Sequence, residues 1–220
     1  MRNIRKMLKE DDLGDMGIGA MIVFIAMVLV AGIAASVLIQ TANKLEIQAM
    51  VTGQQTTNEV SSGLAVVDIE GQNTGGYISE LTITLRARAG SGDIDLGQTI
   101  VEISDGTTKT LLTYDPTAAQ FYLINDENGS VFGTGAWDMT NEQFGILVLQ
   151  DEDSSMSASN PVLNRGDLAM ICINTDACFN GTGLDPRDDI YGLVSPEQGA
   201  SGVFAFRVPS SLTETVYDLY

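Results

Sequence analysis

Between Asp15 and Lys44 the sequence carries no charged side chain, and from Gly17 to Ile39 it is almost wholly apolar. A run of that length is enough to cross the hydrocarbon of a bilayer. Its Ile, Val, Leu, Met and Ala residues fall on every side of a helical wheel, so a helix built from it has no polar face to offer water. Such a helix must end in lipid or among other apolar helices. An ordinary secretory peptide has its cut site after the apolar run, beside small residues. Here the most peptidase-like junction, Leu13-Gly14-Asp15, precedes the run, and a cut there leaves the apolar segment in the mature protein. Arg2, Arg5, Lys6 and Lys9 lie just ahead of it, which holds that end on the cytoplasmic side of a membrane. Beyond the run, "QTANKLEIQAMVTGQQTTNEVSSG" lacks proline and keeps a partial stripe at Leu45, Met50 and Val51. A helix from Ile18 to Ser62 would be roughly 65 Å long, more than a membrane anchor needs. The division expected is a leader over residues 1–14, a hydrophobic helix over 15–62 and a second domain over 63–220.

After Gly63 the pattern changes to short alternating segments separated by Gly, Asn, Asp and Ser, the mark of antiparallel β-structure. In "ELTITLRARAG", Leu81, Ile83, Leu85 and Ala87 face one way, and Thr82, Thr84, Arg86 and Arg88 the other. Strands are also predicted in "LAVVDIE", "TIVEIS", "TLLTY", "QFYLIN", "FGILVLQ", "DLAMICIN", "IYGLVS" and "GVFAFRV". The fold class expected is therefore α+β: a long N-terminal hydrophobic helix followed by an antiparallel β-sandwich of immunoglobulin-like kind.

Composition narrows the function. A formal net charge of −18 argues against nucleic acid, which is bound by Lys and Arg neutralising phosphates. The absence of histidine removes the usual general base and the commonest metal ligand, and no catalytic motif stands in for them. No catalytic residue and no cofactor site is assigned. Acidic stretches at Asn125–Ser130, Asp151–Ser155 and Asp185–Asp189 read as solvated turns; oxygen-rich loops can also hold calcium or another cation, although none has EF-hand spacing. Cys172 and Cys178, six apart in an exported chain, are expected to close a small disulfide loop, with two free thiols as the alternative. Asn128-Gly129-Ser130 and Asn180-Gly181-Thr182 are N-glycosylation sequons, whereas Asn160 is followed by Pro161. Gly17, Gly19 and Gly32 are small enough to allow close helix contacts.

The stretch "GDMGIGAMIVFIAMVLVAGIAASVLI" resembles the amino terminus of archaeal flagellins (archaellins), whose processing is similar to that of type IV pilins. "LNRGDLAMICIN" and the segment Pro196-Glu197-Gln198-Gly199-Ala200-Ser201-Gly202, followed by a last strand and a Thr-containing tail, resemble the family's carboxy terminus. Type IV pilins usually carry Glu at the fifth mature position, where this chain has Gly19. The resemblance implies cleavage by a prepilin-like membrane aspartyl peptidase between Gly14 and Asp15. It also implies assembly through a helix surface that includes Gly17, Ile18, Gly19, Ile22, Val23, Phe24, Ile25, Met27, Val28, Leu29 and Val30. The partners implied are other copies and related archaellins in a helical filament, an assembly ATPase and a membrane platform protein. The precursor is then expected in the cytoplasmic membrane and the product in an extracellular filament that serves swimming, with adhesion as a second role and glycans on Asn128 and Asn180. Alternatives are an adhesive pilin, a single-span surface domain, and a secreted enzyme cut near Ala34-Ala35-Ser36.

Overall fold

The computed structural model describes residues 2–116, 120–124, 131–133, 135–137, 139, 142–179 and 181–220, with side chains described from residue 16 onward. The chain forms two compact units, Met1–Gln54 and Gln55–Tyr220.

Helix α1 spans Arg2–Ser61. No proline interrupts it, the first in the chain being Pro116, and a missing N–H or a ring clash is what would have broken it. It stops where Ser61, Ser62 and Gly63 follow one another: Ser62 N–H donates to Asn58 C=O at 2.8 Å and the chain then turns into β-structure. The expected end near Ser62 is thus met to within one residue.

Thirteen strands follow among the described residues: β1 Leu64–Thr74, β2 Tyr77–Ala87, β3 Ile94–Asp95, β4 Ile100–Ser104, β5 Lys109–Leu112, β6 Phe121–Leu123, β7 Gly145–Gln150, β8 Met156–Ser157, β9 Asn160–Leu163, β10 Leu168–Asn174, β11 Asp189–Ser195, β12 Gly202–Arg207 and β13 Val216–Asp218. A four-residue helix, α2 Thr175–Cys178, follows β10. The strands make a six-stranded sheet ordered β13-β1-β2-β10-β7-β6, a four-stranded sheet β12-β11-β4-β5 and a small sheet β3-β9-β8.

Register explains the core. Ile69, Ile83, Ile171, Ile146 and Phe121 lie opposite one another across five adjacent strands, and the four isoleucines are fully buried. In the four-stranded sheet, Phe204 lies opposite Gly192, and a Cβ at Gly192 would sit 2.0 Å from the Phe204 ring, so the glycine makes room for the aromatic. The buried side chains of both sheets join one apolar cluster, which is what a sandwich core requires.

Three details depart from the expectation. The polar face of β2 is buried at Thr82 and Thr84, and along it only Arg86 and Arg88 reach water. The turn Gly135–Trp137 contributes to this second cover: Asn174 Nδ2 donates to Trp137 C=O at 3.1 Å, and a Cβ at Gly145 would meet Ala136 O at 2.4 Å. Second, β6 joins β7 in parallel, so the sheet is mixed at that edge, and six plus four strands exceed the seven-strand immunoglobulin plan. Third, β3, β8, β9 and β13 were not legible as strands: they are short, and Pro161 in β9 counts against a strand in sequence terms.

The expected disulfide is overturned. Cys172 and Cys178 are both free and buried. Cys172 sits inside β10 between Thr82 and Gly145, and the strand runs two residues further before α2 begins. The carbonyl of Cys178 then accepts from Thr110 Oγ1 of β5, in the other main sheet. The intervening residues are therefore strand and helix rather than a loop folding back on itself. Burial raises both thiols, that of Cys178 to about 12, so neither is a ready thiolate.

Candidate assembly interface

The N-terminal unit presents what a soluble domain hides. Ile18, Ile22, Val23, Phe24, Ile25, Met27, Val28, Leu29 and Val30 are each between 52% and 68% exposed. Leaving such side chains in water costs on the order of 1.5–3 kcal/mol each. The exposure goes all round the helix, so no rotation of it relieves the cost. Along one side Val23, Met27 and Val30 stand around Ala26, Ala31 and Ala34, giving a shallow apolar groove floored by methyl groups. Small residues of this kind let two helix backbones approach closely. A Cβ added at Gly17, Gly19 or Gly32 would meet nothing within 4 Å, so contacts inside the chain place no demand for glycine at any of the three. Gly14 and Asp15 lie within α1.

The end of the helix is fastened inside the second unit. Ala200 N–H donates to Ser62 C=O at 2.8 Å, and Leu64 N–H donates to Ala200 C=O at 3.1 Å. Gly63 N–H donates to Ser91 Oγ at 2.9 Å, and Arg88 N–H to Gly63 C=O at 2.9 Å. Gly199 has φ +94°, and a Cβ there would lie 2.3 Å from Ser62 O. The segment Pro196–Gly202 thus clamps the helix-to-strand junction. In the sequence that segment stands out only by resemblance and the junction at Ser62 and Gly63 only by the change of pattern, while Ser91 has no motif of its own.

Of the acidic stretches, one converges. Asp151, Asp153 and Asp167 each bring a carboxylate oxygen within 4.8 Å of the others. Asp151 accepts from Ser155 N–H at 3.1 Å and Met156 N–H at 3.2 Å, and Asp167 accepts from Asn164 N–H at 3.0 Å. Hydrogen bonds from Ser155 and Asn164 hold the Asp153 carboxyl below its ordinary range. Such an all-oxygen set suits a hard cation like calcium, with further ligands from backbone or water. Asp167 was missed as a member because its loop partner lies twelve residues or more away in sequence. At Asp185–Asp189 the carboxylate of Asp188 accepts from Asp185 N–H and Asp189 pairs with Arg207 at 3.5 Å, an ordinary solvated turn. The third acidic stretch, Asn125–Ser130, and both sequon asparagines, Asn128 and Asn180, lie outside the described residues.

The sequence profile of the archaeal-type flagellins matches residues 14–206. The chain belongs to the archaeal-type flagellins. It is 42% identical to flagellin B2 of Methanocaldococcus jannaschii over 92% of either chain, and 36% identical to flagellin B3 of Thermococcus kodakarensis over 94% of this chain and 97% of that one. Its fold matches the crystal structure of archaeal flagellin FlaB1 from M. jannaschii with a TM-score of 0.63 at 28% identity, covering 72% of this chain and 96% of that one. It also matches the archaeal flagellum of Methanospirillum hungatei with a TM-score of 0.61 over 92% and 98% of the two chains; at 16% identity that likeness concerns the fold. Flagellins are structural subunits, not an enzyme family, and the prominent surface of this one is an apolar helix.

Proposed function

We propose that this flagellin is a structural subunit of an archaellum filament, outside the cell, in which the apolar halves of many α1 helices pack on one another and the β-domains face the medium. The observation that carries this is the helix exposed and apolar on all sides, which needs lipid or its own kind as cover. Before assembly the same helix rests in the cytoplasmic membrane, for which it is long and apolar enough. A prepilin-like peptidase then removes residues 1–14; in support, the family match begins at Gly14. Moving from lipid to a helix bundle gains no hydrophobic term, so helix packing and an assembly ATPase with its membrane platform protein must drive extraction. Rotation of the filament gives swimming, Asn128 and Asn180 carry glycans, and the trio Asp151, Asp153 and Asp167 holds a structural cation.

The test is the amino-terminal sequence and intact mass of protein sheared from native cells. A start at Asp15 in filamentous material is expected, with added mass reporting glycans. A start at Met1 in the membrane fraction, or near Ser36 in the medium, refutes the filament reading. For the cation, melting of the filament with calcium and with chelator should differ, and Asp153→Asn should abolish that difference.

A further inference from the structure

From residue 63 onward the flagellin has 23 Asp and Glu against six cations: Arg86, Arg88, Lys109, Arg165, Arg187 and Arg207. In so acidic a domain, each cation would be expected to find a carboxylate of its own. Lys109 does, with Glu102 at 2.6 Å, and Arg207 does, with Asp189. Three of the other four converge instead on one cleft of about 470 Å³. Arg86 and Arg88 stand two residues apart at the end of β2, hence on the same face, and Arg165 reaches in from the turn between β9 and β10. All three are exposed. Among the described residues, none has a carboxylate within 4.0 Å.

The one carboxylate lining the cleft, Asp167, is buried and already accepts from Asn164 N–H, Glu152 N–H and Ser155 Oγ. Two features fix the arrangement in advance. Arg88 Nε donates to Leu64 C=O at 3.0 Å, and Gly166, at φ +107°, sets the turn that carries Arg165. Planar guanidinium groups held this way match carboxylates in paired hydrogen bonds.

We propose that the Arg86–Arg88–Arg165 cleft is a docking surface for a second copy of this chain, receiving carboxylates from the acidic surface of the neighbouring β-domain. Charge complementarity selects that occupant. The whole chain carries a net charge of −18 and loss of residues 1–14 leaves it no less acidic, so like surfaces repel, and a concentrated basic cleft is the feature that turns a neighbour's acidity into attraction. A basic cleft on one copy meeting an acidic surface on the next is a heterologous contact, which propagates into an open helix rather than closing a dimer. Each exposed pair contributes little alone, but the contact repeats at every subunit.

This rests on the filament reading, and the experiment separates the two. Filaments of Arg86→Lys/Arg165→Lys flagellin are sheared from the cells that produce them. The sheared filaments are treated with a carbodiimide, which joins an amine to a carboxylate in contact. After cross-linking, covalent dimers are separated by size from single chains under denaturing conditions, which tells a bond between copies from one within a chain. The expected product is an amide between position 86 or 165 of one copy and an Asp or Glu of the other. In parallel, Arg86→Glu/Arg165→Glu filaments should dissociate at a lower temperature than wild type in dilute salt, with the gap closing in concentrated salt. An unchanged urea midpoint of the monomer shows that the reversal leaves the fold intact. Cross-links confined to single chains or to a different protein, or reversed filaments as heat-stable as wild type, overturn the proposal. A wild-type chain that forms no filaments would overturn the filament reading itself.

Discussion

The junction clamp permits a quantitative test through two glycines that differ in one respect. Gly106, in the turn between β4 and β5, has φ +84° and open space where a Cβ would go. Gly199 has φ +94° and the backbone of Ser62 at 2.3 and 2.5 Å from that position. Gly106→Ala should cost only the left-handed backbone strain of an L residue, about 1 kcal/mol. Gly199→Ala carries the same strain plus an overpacking cost of about 1–3 kcal/mol, because the obstacle is main chain that also accepts the Ala200 N–H. The expected totals are about 1 and about 2–4 kcal/mol, in a domain whose whole stability is on the order of 5–15 kcal/mol. Urea unfolding of the full chain in detergent micelles is the assay. The single tryptophan, Trp137, is buried in the β-domain and reports its unfolding. With a slope of about 2 kcal/mol per molar urea, the midpoints should fall by roughly 0.5 M and 1–2 M respectively. Equal losses for the two variants would refute the clamp, since strain alone would then account for Gly199.

Val28→Asp places a charge in the middle of the apolar run, where it costs about 2.5–3.5 kcal/mol in a membrane or more in a dry bundle. Filaments should be lost from shear preparations while the urea midpoint of the β-domain stays put, and normal filaments would count against helix-mediated assembly. Glu70 lies opposite Asp218 on β13, and partial burial, then Asp68 and Asp218, raise its carboxyl above the ordinary range. A raised carboxyl binds its proton more tightly folded than unfolded. Its contribution is therefore full below pH 4.5 and is lost as pH rises through the folded value. The protection of the Leu219 N–H, which donates to Ile69 C=O beside this pair, should accordingly rise on acidification once its exchange is divided by the intrinsic rate at each pH, and Glu70→Gln should remove that rise. Cys172 and Cys178 should resist maleimide in the folded protein and take up two equivalents on denaturation without reductant; no uptake would restore the disulfide.

The sequence by itself determined the helix, its end near Ser62 and the nine principal strands. Those features follow from local quantities: an uninterrupted apolar run, the lack of proline, and alternation with period two. The need for cover by lipid or by other apolar helices was equally legible, because a helix apolar on every side cannot be covered by anything local. Only the tertiary structure decided which strands are neighbours, that β6 joins in parallel, and that Thr82 and Thr84 are buried. It likewise separated Cys172 from a bond that their spacing invited, gathered Asp167 to Asp151 and Asp153, and brought Arg165 to Arg86 and Arg88. Each of these joins residues far apart in the chain or sets the cover of a sheet's second face. Such contacts depend on how strands are ordered across a sheet, and that order is fixed by packing of the whole core rather than by any short stretch of residues.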